Sequence, residues 1–591
     1  MNINDFDNIF KDNSLFKKNN SKLFNDLDNE QDVLKEEHLS FKLSLRKQKL
    51  QEKIYSKRNF NQKEPIYNFF QNLEKKDYTQ EDIKNGKIYD DLKNVYNKKN
   101  EKELRNTIYS ISIFFSGKEF DFLEFKKYLS NNDNNDNLIN NEDDIKNKIK
   151  SLPLLILEIA FNTQDKTIYI FSFNLLLNFT YISHDFCTKI TNEQNIKIMF
   201  NKLIFFYPFF AEEKNNNKIY DINDKNEAYY FGSQILKLLG NLFLSSDSYE
   251  PFEANNFYEK IFYLLSEFDL DSKDKKFICF RYDYLDTLIW LISIFLDEIK
   301  NFGIIYSDKV INIIPNLLNF IRGFYFTKET DVLSNIIKLI YQLSEINDDI
   351  KLKIVDSEGI KNITNLFRYL FNNGQNDDEI ILTPEITLQI LYIFINIFEL
   401  DSKYLYNIDY SEFAVVLKEL FSIYKMHHSN HYDIQSNLLI LLSNLACFDD
   451  IEEIIIKILM NNNIIKYVFN YYNKYHKLDV LIFMDNIMIK QHKKVRDFIL
   501  NMGGFEIIKN NICIYNGDCI NLIEKSITVL YNLIKAEKAF NIRLLFEKLY
   551  KTSIPDKLKE IDSNIDLTKE KEILIKSIIS DCEIYEKSLE D

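Results

Sequence analysis

LLGNLFLSS at residues 238–246 and LLSNLACFD at 441–449 are two copies of one phrase: apolar residues, an asparagine, then apolar residues again. The phrase returns as LLLNFTYIS at 175–183, FINIFELDS at 394–402, FMDNIMIKQ at 483–491 and VLYNLIKAE at 529–537. Its asparagines are Asn178, Asn241, Asn396, Asn444, Asn486 and Asn532. Two further copies, WLISIFLDE and LIYQLSEIN, carry Ile294 and Gln342 in the asparagine's place. From Asn178 to Asn532 the successive intervals are 63, 53, 48, 54, 48, 42 and 46 residues. Each phrase has the apolar content of a buried helix, so the chain reads as a series of helical units stacked one on the next.

A helical period of roughly 40–47 residues is that of armadillo or HEAT solenoids, in which each unit packs only on its neighbours. The longer intervals carry visible insertions: SNNDNNDNLINNEDD at 130–144, EEKNNNKIYDINDKNE at 212–227 and NNGQNDDEI at 372–380. One unit can be read helix by helix over 335–370, as SNIIKLIYQLSEI, NDDIKLKIVDSEG and IKNITNLFRYLF. Asn347, Asp348 and Asp349 can cap the middle helix, and Gly359 permits the sharp turn after it. Gly503-Gly504 repeats that turn, and the asparagines of MNNNIIKYVFNYY (460–472) do the same. DDLKNVYNKKNEKELRNTIYSISIFFSG predicts two helices joined at 98–100. The expected fold is all-α, an armadillo-repeat right-handed superhelix over 86–545. A helical cap at 546–591 follows it, and a linker at 61–85 and a flexible arm at 1–60 precede it.

Composition narrows the function. Among 591 residues, hydrophobic side chains make up 46%, enough for a long continuous core, and 11 glycines with 7 prolines are too few for a turn-rich β protein. The net charge of −15 repels phosphate backbones and attracts basic segments, so direct nucleic-acid binding is not expected. Six scattered cysteines without a CxxC fit a reducing compartment. No apolar run is long enough to span a membrane, and MNINDFDNIF lacks the order of a signal peptide. No nucleophile elbow, phosphate loop or HExxH phrase occurs, and His427, His428 and His431 lack companion ligands at metal spacing. Neither enzyme activity, a cofactor nor a metal is expected.

One segment runs against the acidic balance. FKLSLRKQKLQEKIYSKRNF at 41–60 carries seven basic residues and one acid between Lys42 and Arg58. With the repeats, it resembles the importin alpha family. Leu45, Arg46, Lys47 and Lys49, then Lys57, Arg58 and Asn59, follow in order the family's importin-beta-binding pattern, L-R-K-x-K and later K-R-R-N. Ser56 stands where a third basic residue is expected, and the upstream arginine cluster is replaced by EEHLSFK. The tail from Ile554 resembles the family's C-terminal half-repeat and export-factor contact region. A solvated or membrane-surface helix is the plain alternative for 41–60, since Arg46, Lys49, Lys53 and Lys57 share one face.

The resemblance implies a nuclear import adaptor shuttling between cytoplasm and nucleus. Its partners would be importin beta, basic or specialised cargo peptides, and an export factor at the C-terminal region. The asparagines would hold an extended peptide by its main chain, with Asn178, Asn241 and Trp290 at an N-terminal site and Asn396, Asn444 and Asn486 at a C-terminal one. The family places a tryptophan four residues before each asparagine to wall in lysine stems. Here those positions are Asn174, Lys237, Trp290, Lys338, Tyr392, Ile440, Ile482 and Thr528, so lysine preference should be weakened. A single asparagine in an apolar helix is commonly a packing residue, and Trp290 suits a core as well as a groove. The rival to the adaptor is an armadillo scaffold of the cytoskeletal or flagellar kind.

Overall fold

A computed structural model describes residues 73–116, 120, 125, 141–182, 184–206, 222–246, 249–266, 268, 278–298, 302–324, 330–373, 383–405, 408, 410–423, 432–445, 464, 468–469, 476–489, 493–513, 520–539, 544–564 and 567–590. The arm at 1–60, and with it Leu45, Arg46, Lys47, Lys49, Lys57, Arg58 and Asn59, lies outside the described residues. So do the centres of the three insertions, the histidines at 427–431 and most of 460–472. Among the described residues every regular element is a helix and there is no strand.

The chain divides into two compact units, Met1–Ile204 with Lys237–Asn255, and Phe205–Leu236 with Asn256–Asp591. In the first, α1 (Lys87–Asn97) and α2 (Glu101–Ser116) pair, joined across 98–100 as the sequence predicts, with Lys99 in the left-handed region at φ 52°. α3 (Asn141–Asn162) packs on α1 and on α4 (Lys166–Ile182), and α4 lies against α2. Residues 73–85, assigned above to the linker, are part of this packing. Tyr78 is 4% exposed, and Thr79 forms a capping box with Asp82 that starts the helix Gln80–Lys84. Burial of that one aromatic ring pulls the segment onto the first helices. Beyond the helices His184–Ile190 and Glu193–Phe206, α5 (Ile222–Leu244) gives residues to both units.

The second unit holds the longest run of repeats. Its third helices are α7 (Ile278–Glu298), α9 (Thr330–Ser344), α12 (Pro384–Ile397), α14 (Tyr432–Leu445), α15 (Lys477–Ile489) and α18 (Ile520–Ala539). Each packs on the next, and α18 packs on the C-terminal helix α20 (Lys569–Glu590). A parallel row of second helices stacks in the same order: α6 (Phe257–Ser266), α8 (Ser307–Phe324), α11 (Gly359–Asn373) and α13 (Tyr410–Ile423). Further on, α17 (Gly504–Cys513) meets α19 (Ile554–Asn564) in the same way. A short first helix, α10 (Asp348–Asp356), links the two rows, packing on α8, α9, α11 and α12. α16 (Lys493–Asn501) does the same beside α15, α17 and α18. Three helices per unit, the first one short, is the armadillo arrangement, and the fold is an all-α repeat stack.

Local chemistry explains the unit. The Asn347 side chain accepts a hydrogen bond from the Ile350 amide at 3.0 Å and opens α10, as expected. At the sharp turn into α11 the left-handed residue is Glu358, at φ 58°, and not the glycine after it. Gly359 is needed for another reason: a Cβ there would stand 2.5 Å from the Ile354 carbonyl oxygen. At the matching turn Gly503 takes the positive φ, 99°, and Gly504 the close approach, with the Ile499 carbonyl 3.0 Å from a built Cβ. The glycine thus marks where the second helix presses on the end of the first. Replacing Gly359 with alanine forces backbone to move and should cost about 1–3 kcal/mol, whereas Asn347→Ala should cost about 1 kcal/mol; urea unfolding midpoints of the two variants measure the difference.

Candidate functional site

On five third helices the register residue is an amide that reaches back to the preceding third helix. In the first unit, Asn241 is only 4% exposed and its Nδ2 donates to Thr180 Oγ1 at 2.9 Å. In the second, Gln342 Nε2 donates to Asp297 Oδ1 at 2.5 Å while Ser293 Oγ donates to Gln342 Oε1 at 2.7 Å. Asn396 Nδ2 donates to Ser344 Oγ at 2.9 Å, Asn486 Nδ2 to the Ser443 carbonyl at 3.3 Å, and Asn532 Nδ2 to Asp485 Oδ1 at 2.6 Å. Each amide therefore ties its helix back to the one before. In these five cases the amide makes a seam between helices.

The residues expected at the two peptide sites are distributed accordingly. Asn178 is half-buried on α4 and, with Asn241, belongs to the first unit, whereas Trp290 belongs to the second. Trp290 is half-buried on α7, one turn before the buried Ile294 and one turn after Asp286. Asn396, Asn444 and Asn486 are half-buried on three consecutive stacked helices, α12, α14 and α15, so the structure does bring them onto one face.

The same face carries a set of groups that the asparagine pattern overshadows. Three residues after the register position stand Asp297, Glu345 and Glu399, on α7, just past α9 and just past α12. Between them the rings of Tyr341 and Tyr392 stack across the α9–α12 seam, 5.2 Å between centroids and 30° between planes. The Tyr341 hydroxyl donates to Glu345 Oε1 at 2.7 Å, and Tyr392 is hydrogen-bonded to Asn437 on α14. Desolvation raises the Tyr341 hydroxyl well above its ordinary range, and the Glu345 carboxylate raises it further.

The outer carboxylates of the row have cations of their own. Asp297 faces the Lys338 ammonium at 3.6 Å, and Glu399 faces Lys351 at 3.1 Å. Lys338, a lysine where a lysine-binding wall would be expected, is thus drawn to an acid of its own chain. Glu345, between the two, has no cationic partner among the described residues. Its pKa is raised, first by desolvation and then by the charges of Asp297 and Glu399, against the opposing hydrogen bond from Tyr341. An under-compensated carboxylate beside two flat aromatic faces is a place where a lysine or arginine side chain is attracted by charge and by the rings together. The signal was present in the sequence: WLISIFLDE, LIYQLSEIN and FINIFELDS each place an acid three residues after the register position.

Among the described residues no group of three or more histidines, cysteines or carboxylates could hold a metal ion, and no helix is long and apolar enough to cross a membrane.

No family model matches the chain, and no curated protein matches it in sequence. Among solved structures it is similar to an engineered protein at 11% identity, over 85% of this chain and 99% of that one, with a TM-score of 0.49. It is also similar to a designed armadillo repeat protein at 10% identity, over 45% of this chain and 98% of that one, with a TM-score of 0.34. A second designed armadillo repeat protein, in complex with the peptide (KR)4, gives the same identity and TM-score over 46% of this chain and 98% of that one. The fold assignment rests on the helix stacking itself.

The raised carboxyl has a measurable consequence. A carboxyl whose pKa is higher in the folded chain than in the unfolded one binds its proton more tightly when folded, so ionising it costs stability. The cost is absent below the unfolded value of about 4.3 and complete above the folded one. Glu345→Gln, which keeps an acceptor for Tyr341, should therefore raise the unfolding temperature at neutral pH, and the gain should vanish below about pH 4. Thermal melts of both proteins across that range check the sign.

Proposed function

We propose that this chain is a protein-interaction scaffold whose third-helix face receives an extended basic segment of a partner. The observation that carries this reading is Glu345: a carboxylate with no cation among the described residues, crowded by Asp297 and Glu399 and set beside the Tyr341–Tyr392 pair. A ligand ammonium or guanidinium relieves that repulsion, which gives binding a driving force the free protein lacks. The net charge of −15 steers such a partner toward the protein before contact.

The specific form we propose is a nuclear import adaptor that moves between cytoplasm and nucleus. The basic segment at 41–60 supports it, with Leu45, Arg46, Lys47, Lys49, Lys57, Arg58 and Asn59 as the residues that engage importin beta. The C-terminal helices, including α19 and α20, are the region an export factor would contact. Cargo recognition in this reading departs from the family pattern, because the asparagine amides serve the seams and a tyrosine pair with unpaired acid supplies the cation site. The chain is proposed to have no catalytic role and to need no cofactor. A scaffold of the cytoskeletal or flagellar kind would use the same face with a different partner.

Two measurements separate these forms. Capture by importin beta should be strong for the intact chain and lost on deleting residues 1–60; equal capture of both, or capture of neither, ends the adaptor reading and leaves the scaffold. Glu345→Gln should weaken binding of a short Lys/Arg peptide roughly three- to tenfold, the loss expected for one charge pair; unchanged affinity would remove the cation site.

A further inference from the structure

The third-helix face of the second unit changes character between α12 and α15. One turn before the register residue, α7, α9 and α12 present Trp290, Lys338 and Tyr392, whereas α14 and α15 present Ile440 and Ile482. A further turn back, the residues from α7 to α18 are Asp286, Ser334, Leu388, Ser436, Leu478 and Glu524. Among these helices α15 alone is aliphatic at both positions. Leu478 and Ile482 are also exposed, at 39% and 36%, on one face of the helix.

The carboxylates around them are already engaged. Asp479 accepts from Ser436 Oγ at 3.1 Å and lies 3.3 Å from Nδ1 of the buried His476. Asp485, 6% exposed, is paired with Lys525 at 2.5 Å and with Asn532. On the neighbouring α18, Glu524 accepts the Thr568 amide at 3.2 Å, so the carboxylates near Leu478 and Ile482 are each held by a group of the chain itself. The remaining carboxylate of α14, Asp433, acts on Tyr392 and so belongs to the aromatic end of the row.

We propose that the partner segment is bipartite: a Lys/Arg residue seated at Glu345, Tyr341 and Tyr392, and an aliphatic residue seated on Leu478 and Ile482. This rests on the reading of the third-helix face as the binding surface, and it names a second chemistry on that face. The occupant is fixed by the change of lining along one row, a carboxylate beside two stacked rings at one end and two exposed aliphatic side chains at the other. Helices packed at about 8–10 Å put the two subsites some 20–25 Å apart, the span of roughly six to eight extended residues.

The test uses the full chain and three labelled peptides in fluorescence anisotropy. All begin with the same Lys/Arg tetrad and a seven-residue Gly/Ser spacer, and they end in Leu-Leu, Ser-Ser or Asp-Asp. The Leu-Leu peptide should bind about five- to tenfold more tightly than the Ser-Ser peptide, the value of partly burying two aliphatic side chains, and the Asp-Asp peptide should bind more weakly than either. Ile482→Asp, and separately Leu478→Asp, should erase the Leu-Leu advantage while leaving the Ser-Ser affinity unchanged; the unchanged arm also shows that each variant is folded. Equal binding of Leu-Leu and Ser-Ser peptides overturns the aliphatic subsite and leaves the basic-peptide reading standing. Failure of every peptide to bind overturns both.

Discussion

A third helix in this protein cannot bury its apolar stripe alone; it has to lie against the third helix of the next unit. That constraint shapes the rest of the chain. The seam must be apolar enough to hold, yet it runs between helices whose outer faces meet water, so polar groups fall into it. A buried amide needs a partner, and at four seams the partner is a group on the preceding helix: Thr180 for Asn241, Ser344 for Asn396, the Ser443 carbonyl for Asn486 and Asp485 for Asn532. The recurring asparagine is the solution to a packing problem, reached at several seams.

The same geometry stacks whatever follows the asparagine. A residue three places on in one unit lies near its counterpart in the next, so acids placed there form a row. Like charges in a row repel, and the protein offsets the ends with Lys338 and Lys351. The middle member is left to the Tyr341 hydroxyl, which can donate one hydrogen bond but carries no charge. The site is thus a place where internal compensation stops short, and that shortfall is what a basic ligand can complete.

Much of the fold was legible because periodicity survives sequence drift. The intervals located the third helices, Asn347 marked a helix start and the pair at 503–504 marked a turn. The role of Gly359 was only half legible: a glycine at a turn suggests a left-handed residue, but the left-handed position is Glu358, and the glycine answers the nearness of the Ile354 carbonyl. The partners of the asparagines were not legible, because each depends on a residue a whole unit upstream and on which way its helix faces. A repeated asparagine looks the same in sequence whether it holds a peptide or its neighbour. The acid row could have been seen in three quoted phrases, but the asparagine drew attention to itself. Tyr341 lies beside the register position and outside the repeated phrase's asparagine, so only the stacked rings in space reveal it.

The seams also say how such a long chain can be made. Their amide bonds join residues 61, 49, 52, 43 and 47 positions apart, whatever the distance from either end. Among the described residues, none of these seams waits for a helix that is synthesised hundreds of residues later. A newly emerged third helix needs only its immediate predecessor, already in place, to bury its stripe and satisfy its amide. Growth of the folded part can therefore keep pace with the ribosome, with one apolar edge exposed at a time.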